Sequence, residues 1–236
     1  MPVTLTIQNS INFTKPYIKN QPADVTGMEP ALTAANLILQ FLLSAPFKWR
    51  FNRRKFTFQT IATPPTPDYT ISLPDFGFME NQWLVDSKGM IHSMNGALSL
   101  PVDANTSRPT VIAPQYDDNL GNILFRVKNT PDAVYTVYGD YQAKPRWLYS
   151  FAETWGTVPD DFSFCYNLGF LTMLSLLVND NRFPIYERWF LSKILGVQDG
   201  LDDQARDIFI TAWMNLTRTI GRAQGATQQG VAARGT

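Results

Sequence analysis

The sequence predicts an α+β protein: a helical bundle made of one N-terminal helix and three C-terminal helices, with an antiparallel β-sandwich or barrel-like domain inserted between them. Three observations carry this. Two charge-free apolar runs, Pro30 to Phe47 and Phe162 to Asn179, have helical length and are separated by about a hundred residues of different material. That middle material is rich in Pro, Gly, Asn, Asp and Thr and holds short β-branched and aromatic runs between turn signals. After "KPRWLYS" the helical pattern returns and continues nearly to the end.

In chain order, residues 1–28 read as an N-terminal extended arm. Val3-Thr4-Leu5-Thr6-Ile7 alternates as a strand does, and Pro16, Pro22 and Gly27 keep the following chain open. The start, "MPVTLTIQNS", has neither a basic leader nor an apolar run, so no secretory signal is expected. Residues 29–46 form the first bundle helix, with Pro30 in its first turn and Pro46 at its end. Leu32, Ala35, Leu39 and Leu42 or Leu43 share one face, and Leu37, Ile38 and Phe41 cover most of the rest. A helix apolar nearly all round needs partners on several sides.

Residues 47–146 form the inserted β domain. Strands are expected around Phe56–Phe58, Tyr69–Leu73, Ile123–Val127 and Val134–Tyr138, with turns at "SKGM", "MNGA", "DDNLGN" and "NTPD". Residues 147–222 complete the bundle. Asp160 or Asp161 caps the apolar helix that runs to Val178, Pro184 opens a second helix that Gly196 closes, and Asp202 or Asp203 caps a third. On that third helix Ile208, Ala212, Asn215 and Leu216 form one stripe. The tail 223–236 is Gly, Ala and Gln without an apolar period, a flexible segment unless a partner orders it. Neither apolar run reaches the about 20 uniformly apolar residues of a membrane span, and both read as buried helices of a soluble protein.

Composition narrows the function. Charged residues are 17% of the chain, against a usual share of about a quarter, while aromatics reach 13% with six Trp. Too few charges to coat the exterior imply that much of it meets other protein. Net charge is zero, which argues against duplex binding as the main task, since phosphate neutralisation needs a basic excess. One cysteine, Cys165, excludes an internal disulfide, and one histidine, His92, excludes a histidine-rich metal site. Asp117-Asp118, Asp160-Asp161 and Asp202-Asp203 resemble catalytic or metal-binding pairs, but each sits at a turn or helix start, where Asp accepts backbone N–H bonds. No phosphate loop, dinucleotide turn or HExxH is present. We therefore expect no enzyme, no cofactor and no metal.

The candidate contact site is "FKWRFNRRKF", where Lys48, Arg50, Arg53, Arg54 and Lys55 lie among Phe47, Trp49, Phe51 and Phe56. Extended, the first three rings share a face, but Phe56 and Phe58 have the opposite parity, so a bulge or turn is needed near Asn52-Arg53-Arg54. The rings are then core. The five cations are a sheet edge facing solvent or a protein partner, with contact to DNA backbone as the second reading.

The order "ALTAANLILQFLLS", "FKWRFNRRKFTFQT", "YTISLPDFGFME", "VYTVYGDYQAKP" and "VPDDFSFCYNLGFLTMLSLLVNDNRF" followed by two helices resembles the head-to-tail adaptor or connector proteins of tailed bacteriophages, the tail tubular protein A-like family, over residues 29–220. The resemblance implies a virion structural protein of the neck or tail, present in host cytoplasm during assembly. It implies a ring, commonly of twelve copies, between the portal protein and a tail or nozzle protein. Such a ring surrounds the channel and makes only transient contact with passing double-stranded DNA. It also implies terminal segments that reach the portal, which by position makes Gln224, Gln228, Gln229 and Arg234 docking candidates. The alternative is a baseplate or fibre-attachment protein whose β domain binds a receptor or glycan on aromatics such as Trp83 and Tyr116.

Overall fold

The computed structural model describes residues 4–18, 30–44, 46–103, 105–196 and 203–232, with side chains described up to Arg222. It divides into two compact units: a helical unit from Met1–Phe51 and Pro145–Thr236, and a sheet unit from Asn52–Lys144.

The helical unit contains α1 (Ile7–Thr14), α2 (Ala31–Leu42), α3 (Ser163–Leu177), α4 (Phe183–Leu195) and α5 (Asp203–Ala232). α3 is the centre. Cys165, Tyr166 and every residue from Gly169 to Ser175 are buried, so the helix is enclosed on all sides over that last stretch. α2 packs on it through Ala34, Ala35, Ile38 and Leu39. Gly169 permits this approach: a Cβ there would lie 2.7 Å from Ile38 Cγ1 and 3.0 Å from the Phe190 ring. α4 adds Tyr186, Phe190 and Ile194, and α5 adds Phe209 and Trp213, whose rings meet Phe190 and Phe41 at 4.8–6.2 Å. Buried Asn36 on α2 both donates to Leu148 O (2.9 Å) and accepts from Leu148 N (2.8 Å), a two-point clamp that holds the returning chain.

Four expectations are corrected in this unit. Residues Ile7–Thr14 are a helix, not the end of a strand and an extended arm: Thr6 and Asn9 form a capping box, and Ile7, Ser10, Ile11 and Thr14 bury one helical face. The alternation before it is too short to outweigh that cap and face. Residues 1–3 and 19–28 of the arm lie outside the described residues, as does Glu29 at the start of the expected first helix. Asp160 is not a helix cap. It sits in a 3-10 turn, Asp160–Phe162, and its carboxylate accepts from Thr4 N, Thr4 Oγ1 and Leu5 N at 2.6–3.2 Å, tying the N-terminal segment to α3. α5 continues to Ala232, through ten residues that the sequence assigned to a tail flexible unless a partner orders it. Among its described side chains the buried ones are Phe209 and Trp213, whereas Ile208 is 39% exposed and Asn215 exposed, so the stripe read from the sequence lies beside the core, not in it.

The sheet unit has β1 (Arg53–Gln59), β2 (Asp68–Ser72), β3 (Phe76–Val85), β4 (Ile91–Ser93), β5 (Asn95–Gly96), β6 (Val111–Asp117), β7 (Asn122–Lys128) and β8 (Thr136–Ala143). They make two four-stranded sheets, ordered β1-β8-β3-β4 and β2-β7-β6-β5. The first is antiparallel, and the second is antiparallel apart from the parallel β5–β6 pair. Alternate residues of both sheets fill one core, with Phe56, Leu84, Val137 and Tyr141 from the first and Tyr69, Ile112, Ile123, Phe125 and Val127 from the second. Phe56 lies flat over Gly139, its register partner, and stacks on Phe125 at 5.0 Å. A side chain at 139 would put Cβ 2.3 Å from the Phe56 ring.

"MNGA" is corrected from a turn to a strand. Met94 N bonds Gln82 O in the first sheet, Asn95 N bonds Thr110 O in the second, and the chain thereby steps between sheets. The other turns stand where their residues supply left-handed backbone, as at Gly89 (φ 78°) and at Asn119 and Gly121 (φ 60° and 93°).

Candidate functional site

The basic segment crosses from one unit to the other. Phe47 and Trp49 are buried in the helical unit, where Trp49 Nε1 donates to Leu42 O (2.6 Å) and its ring stacks on Phe51 at 5.6 Å. The parity change comes from a 3-10 turn, Arg50–Asn52, after which Phe56 points into the sheet core. Buried Asn52 closes that turn by donating to Ala143 O (2.8 Å). Lys48 and Arg50 are exposed on the helical unit, and Arg53, Arg54 and Lys55 are exposed on β1, an edge strand of the first sheet. With Phe47, Trp49 and Phe56 inside, the segment offers bases little to stack on.

The three cations on β1 differ. Arg53 donates Nε to Glu80 Oε2 (2.9 Å) and Nη2 to Glu80 Oε1. Gln142 Nε2 donates to the same carboxylate (2.9 Å). Glu80 sits where the β3–β8 register shifts between Met79 and Asn81, so the irregularity turns its side chain toward Arg53. The hydrogen bonds to Glu80 raise the Arg53 pKa. Arg54 lies 3.8 Å from Asp75, both half-exposed, and Lys55 is exposed beside its register partner Asp140. Gln224, Gln228 and Gln229 lie on the last turns of α5, and Arg234 is outside the described residues.

The acidic and nucleophilic candidates are occupied by structure. Asp118 accepts from Leu120 N, Asn122 N and Asn122 Nδ2 at 2.7–2.9 Å, and its side-chain bond with Asn122 leads in holding its pKa below the usual carboxylate value. Asp117 accepts from Asn119 N (2.8 Å) in the same turn. Asp203 is in the first turn of α5, and Asp202 lies outside the described residues. His92 Nε2 faces Asp86 Oδ2 at 3.2 Å and its Nδ1 faces Arg108 Nη1 at 2.9 Å, so both ring nitrogens are engaged and the imidazole has no nitrogen left for a nucleophile. Burial pushes the Cys165 thiol up to about 11, the state of an inert core cysteine.

What the surface does present is apolar. On the helical unit Trp147, Tyr149, Phe164 and Trp189 are 45–72% exposed, and on the sheet unit Ile91 is 71%, Leu120 85% and Leu98 96% exposed. An open groove of about 300 Å³ runs between α2 and α5, lined by Leu37, Phe41, Phe47, Ile208, Ala212 and Leu216. It continues along α5 past Asp207, Thr211 and Asn215. Sequence reasoning missed both Leu98 and the groove. The charge-free run Ala97–Val102 was the available signal for the first, and the misplaced α5 stripe for the second. Trp83 stacks on Tyr138 at 5.9 Å on the outward face of the first sheet, while Tyr116 projects from β6 of the second, so the two aromatics considered for a glycan surface do not converge.

No protein-family model matches the chain, and no curated protein does. Among solved structures it is similar to a chain described as "Neck of empty GTA particle computed with C6 symmetry", at 14% identity over 79% of this chain and 89% of that one, with a TM-score of 0.25.

Proposed function

We propose that this chain is a virion structural protein that works by assembly: a head-to-tail adaptor ring, with neighbouring copies, a portal protein and a tail or nozzle protein as its contacts, around a channel for double-stranded DNA. The observation that carries this reading is a surface poor in charge and rich in exposed apolar side chains on both units, in a chain with 17% charged residues. A monomer in water has no use for Trp147, Tyr149, Phe164 and Trp189 outside its core, whereas a ring subunit covers lateral and axial faces with protein. The element order that resembles the adaptor family supports the same reading. A net charge of zero fits a conduit that lets DNA pass without holding it. In this assembly Lys48, Arg54 and Lys55 face a protein partner, and the C-terminal turns of α5 with Gln224, Gln228 and Gln229 reach toward the portal.

Native mass spectrometry and electron microscopy of the purified chain, alone and with portal and tail partners, test the proposal. Closed rings, twelve copies in the family's pattern, are expected. Monomers under every condition would end it. A receptor-binding reading has less behind it, since Trp83 and Tyr116 lie on different sheets.

A further inference from the structure

His92, the one histidine of the chain, lies on β4, an edge strand of the first sheet, opposite the uncharged Leu84 of β3. It stands between charges of opposite sign. From the β3–β4 turn Asp86 Oδ2 faces Nε2 at 3.2 Å, and from the segment that leads into β6 of the second sheet Arg108 Nη1 faces Nδ1 at 2.9 Å. A guanidinium only donates, so Nδ1 accepts, and the single ring proton of the neutral imidazole is on Nε2, directed at Asp86. Arg108, His92 and Asp86 thus form a hydrogen-bonded chain that ties the second sheet to the β4 edge of the first. The chain requires a neutral ring, because a proton on Nδ1 would confront the Arg108 N–H with another donor.

The two partners are held differently. Asp86 Oδ1 accepts from Lys88 N and Met90 N, both at 2.9 Å, so the turn itself fixes the carboxylate. The Met90 bond leads in holding its pKa below the usual carboxylate value, and Asp86 therefore stays ionised across the range, roughly pH 5–8, in which imidazoles take up a proton. Arg108 is anchored by its backbone, whose O accepts from Asn129 Nδ2 (3.2 Å), but its side chain is exposed and free to swing. Tyr135 and Asp132, bonded to each other at 2.7 Å, lie in the field of both Arg108 and Asp86, and Lys88 is exposed in the turn. We propose that His92 is an acid-released latch between the two sheets: on taking up a proton it keeps Asp86, expels Arg108, and opens the tie at the β4 edge. The device is independent of the ring reading above, since every group in it belongs to the sheet unit of one chain.

Nitrogen-15 NMR of the full chain tests this directly, because a single histidine gives one unambiguous set of imidazole signals. Above the imidazole range the proton should reside on Nε2. As the pH falls, the Arg108 side-chain signals should change with the same midpoint as the His92 ring, while the Met90 amide, bonded to Asp86, keeps its protection from hydrogen exchange. Arg108→Ala, at an exposed side chain, should let His92 bind its proton about three- to tenfold more tightly, and Asp86→Asn should make that binding weaker. A proton on Nδ1 in the neutral ring overturns the proposal. So do Arg108 signals that ignore the titration of His92, or a midpoint that Arg108→Ala leaves unmoved.

Discussion

The helical unit and the sheet unit place their polar side chains differently. In the helical unit a broad core of rings and aliphatics encloses α3, and single polar residues fix where the chain enters it: Asn36 clamps Leu148, and Asp160 holds Thr4 and Leu5. In the sheet unit a thinner core lies between two sheets, and polar groups frame it. Arg126 pairs with Asp68 across β7 and β2, Glu80 gathers Arg53 and Gln142, and Asp86 and Asp118 build turns. The difference has a physical cause. Helices satisfy their own backbone, so a bundle needs side-chain bonds only where irregular chain is buried. Sheets need register, and a one-residue slip would invert every strand.

Asn36→Ala gives the largest expected effect. It orphans the buried N–H and C=O of Leu148, at about 1–3 kcal/mol for each group, and hydrogen exchange should show the loss in α2 and around residue 148 while β7 and β8 keep their protection. Equal loss in both units would break the contrast. Next is Gly139→Ala, whose Cβ must displace the Phe56 ring from 2.3 Å. About 1–3 kcal/mol of destabilisation, read by denaturant unfolding, should centre on the sheet unit, and pairing it with Phe56→Leu should recover part.

Acid sharpens the comparison. Asp160 and Asp118 have folded pKa values below the ordinary carboxylate value, the first chiefly through Thr4 and the second through Asn122. Their stabilisation is full above the unfolded pKa near 4 and is lost as pH falls through the lower folded values. Asp160→Asn should flatten the acid limb of exchange in α1 and leave the β6–β7 turn unchanged, and Asp118→Asn should do the reverse. At the other extreme Tyr135, buried and bonded to Asp132, is pushed up to about 12. Unfolded tyrosine ionises near 10, so stability should fall as pH rises from there, visible as a late step in the ultraviolet titration.

The smallest folding effect belongs to the exposed cations. Arg54→Glu with Lys55→Glu should change the unfolding midpoint by an amount equivalent to less than about 0.5 kcal/mol and, on the ring reading proposed above, should impair assembly more than DNA retention in filled particles. Arg53→Glu, set against Glu80, should cost about 1–2 kcal/mol and is a folding variant first. The reverse ordering for Arg54 and Lys55 would assign β1 to DNA.

Periodicity and turn chemistry by themselves determined the α+β class, the burial of α2 and α3, the change of parity after Phe51 and the turns at Gly89 and Gly121, because each depends on residues a few positions apart. Tertiary structure alone decided the rest. Asp160 looks like a cap until Thr4, 156 positions away, supplies its donors. Arg53 looks like its neighbours until an irregularity in β3 delivers Glu80. α5 turns Phe209 and Trp213 inward in place of the Ile208 stripe because the rings of Phe41 and Phe190 wait there. Such choices depend on which distant groups share a small volume, and local sequence holds no record of that.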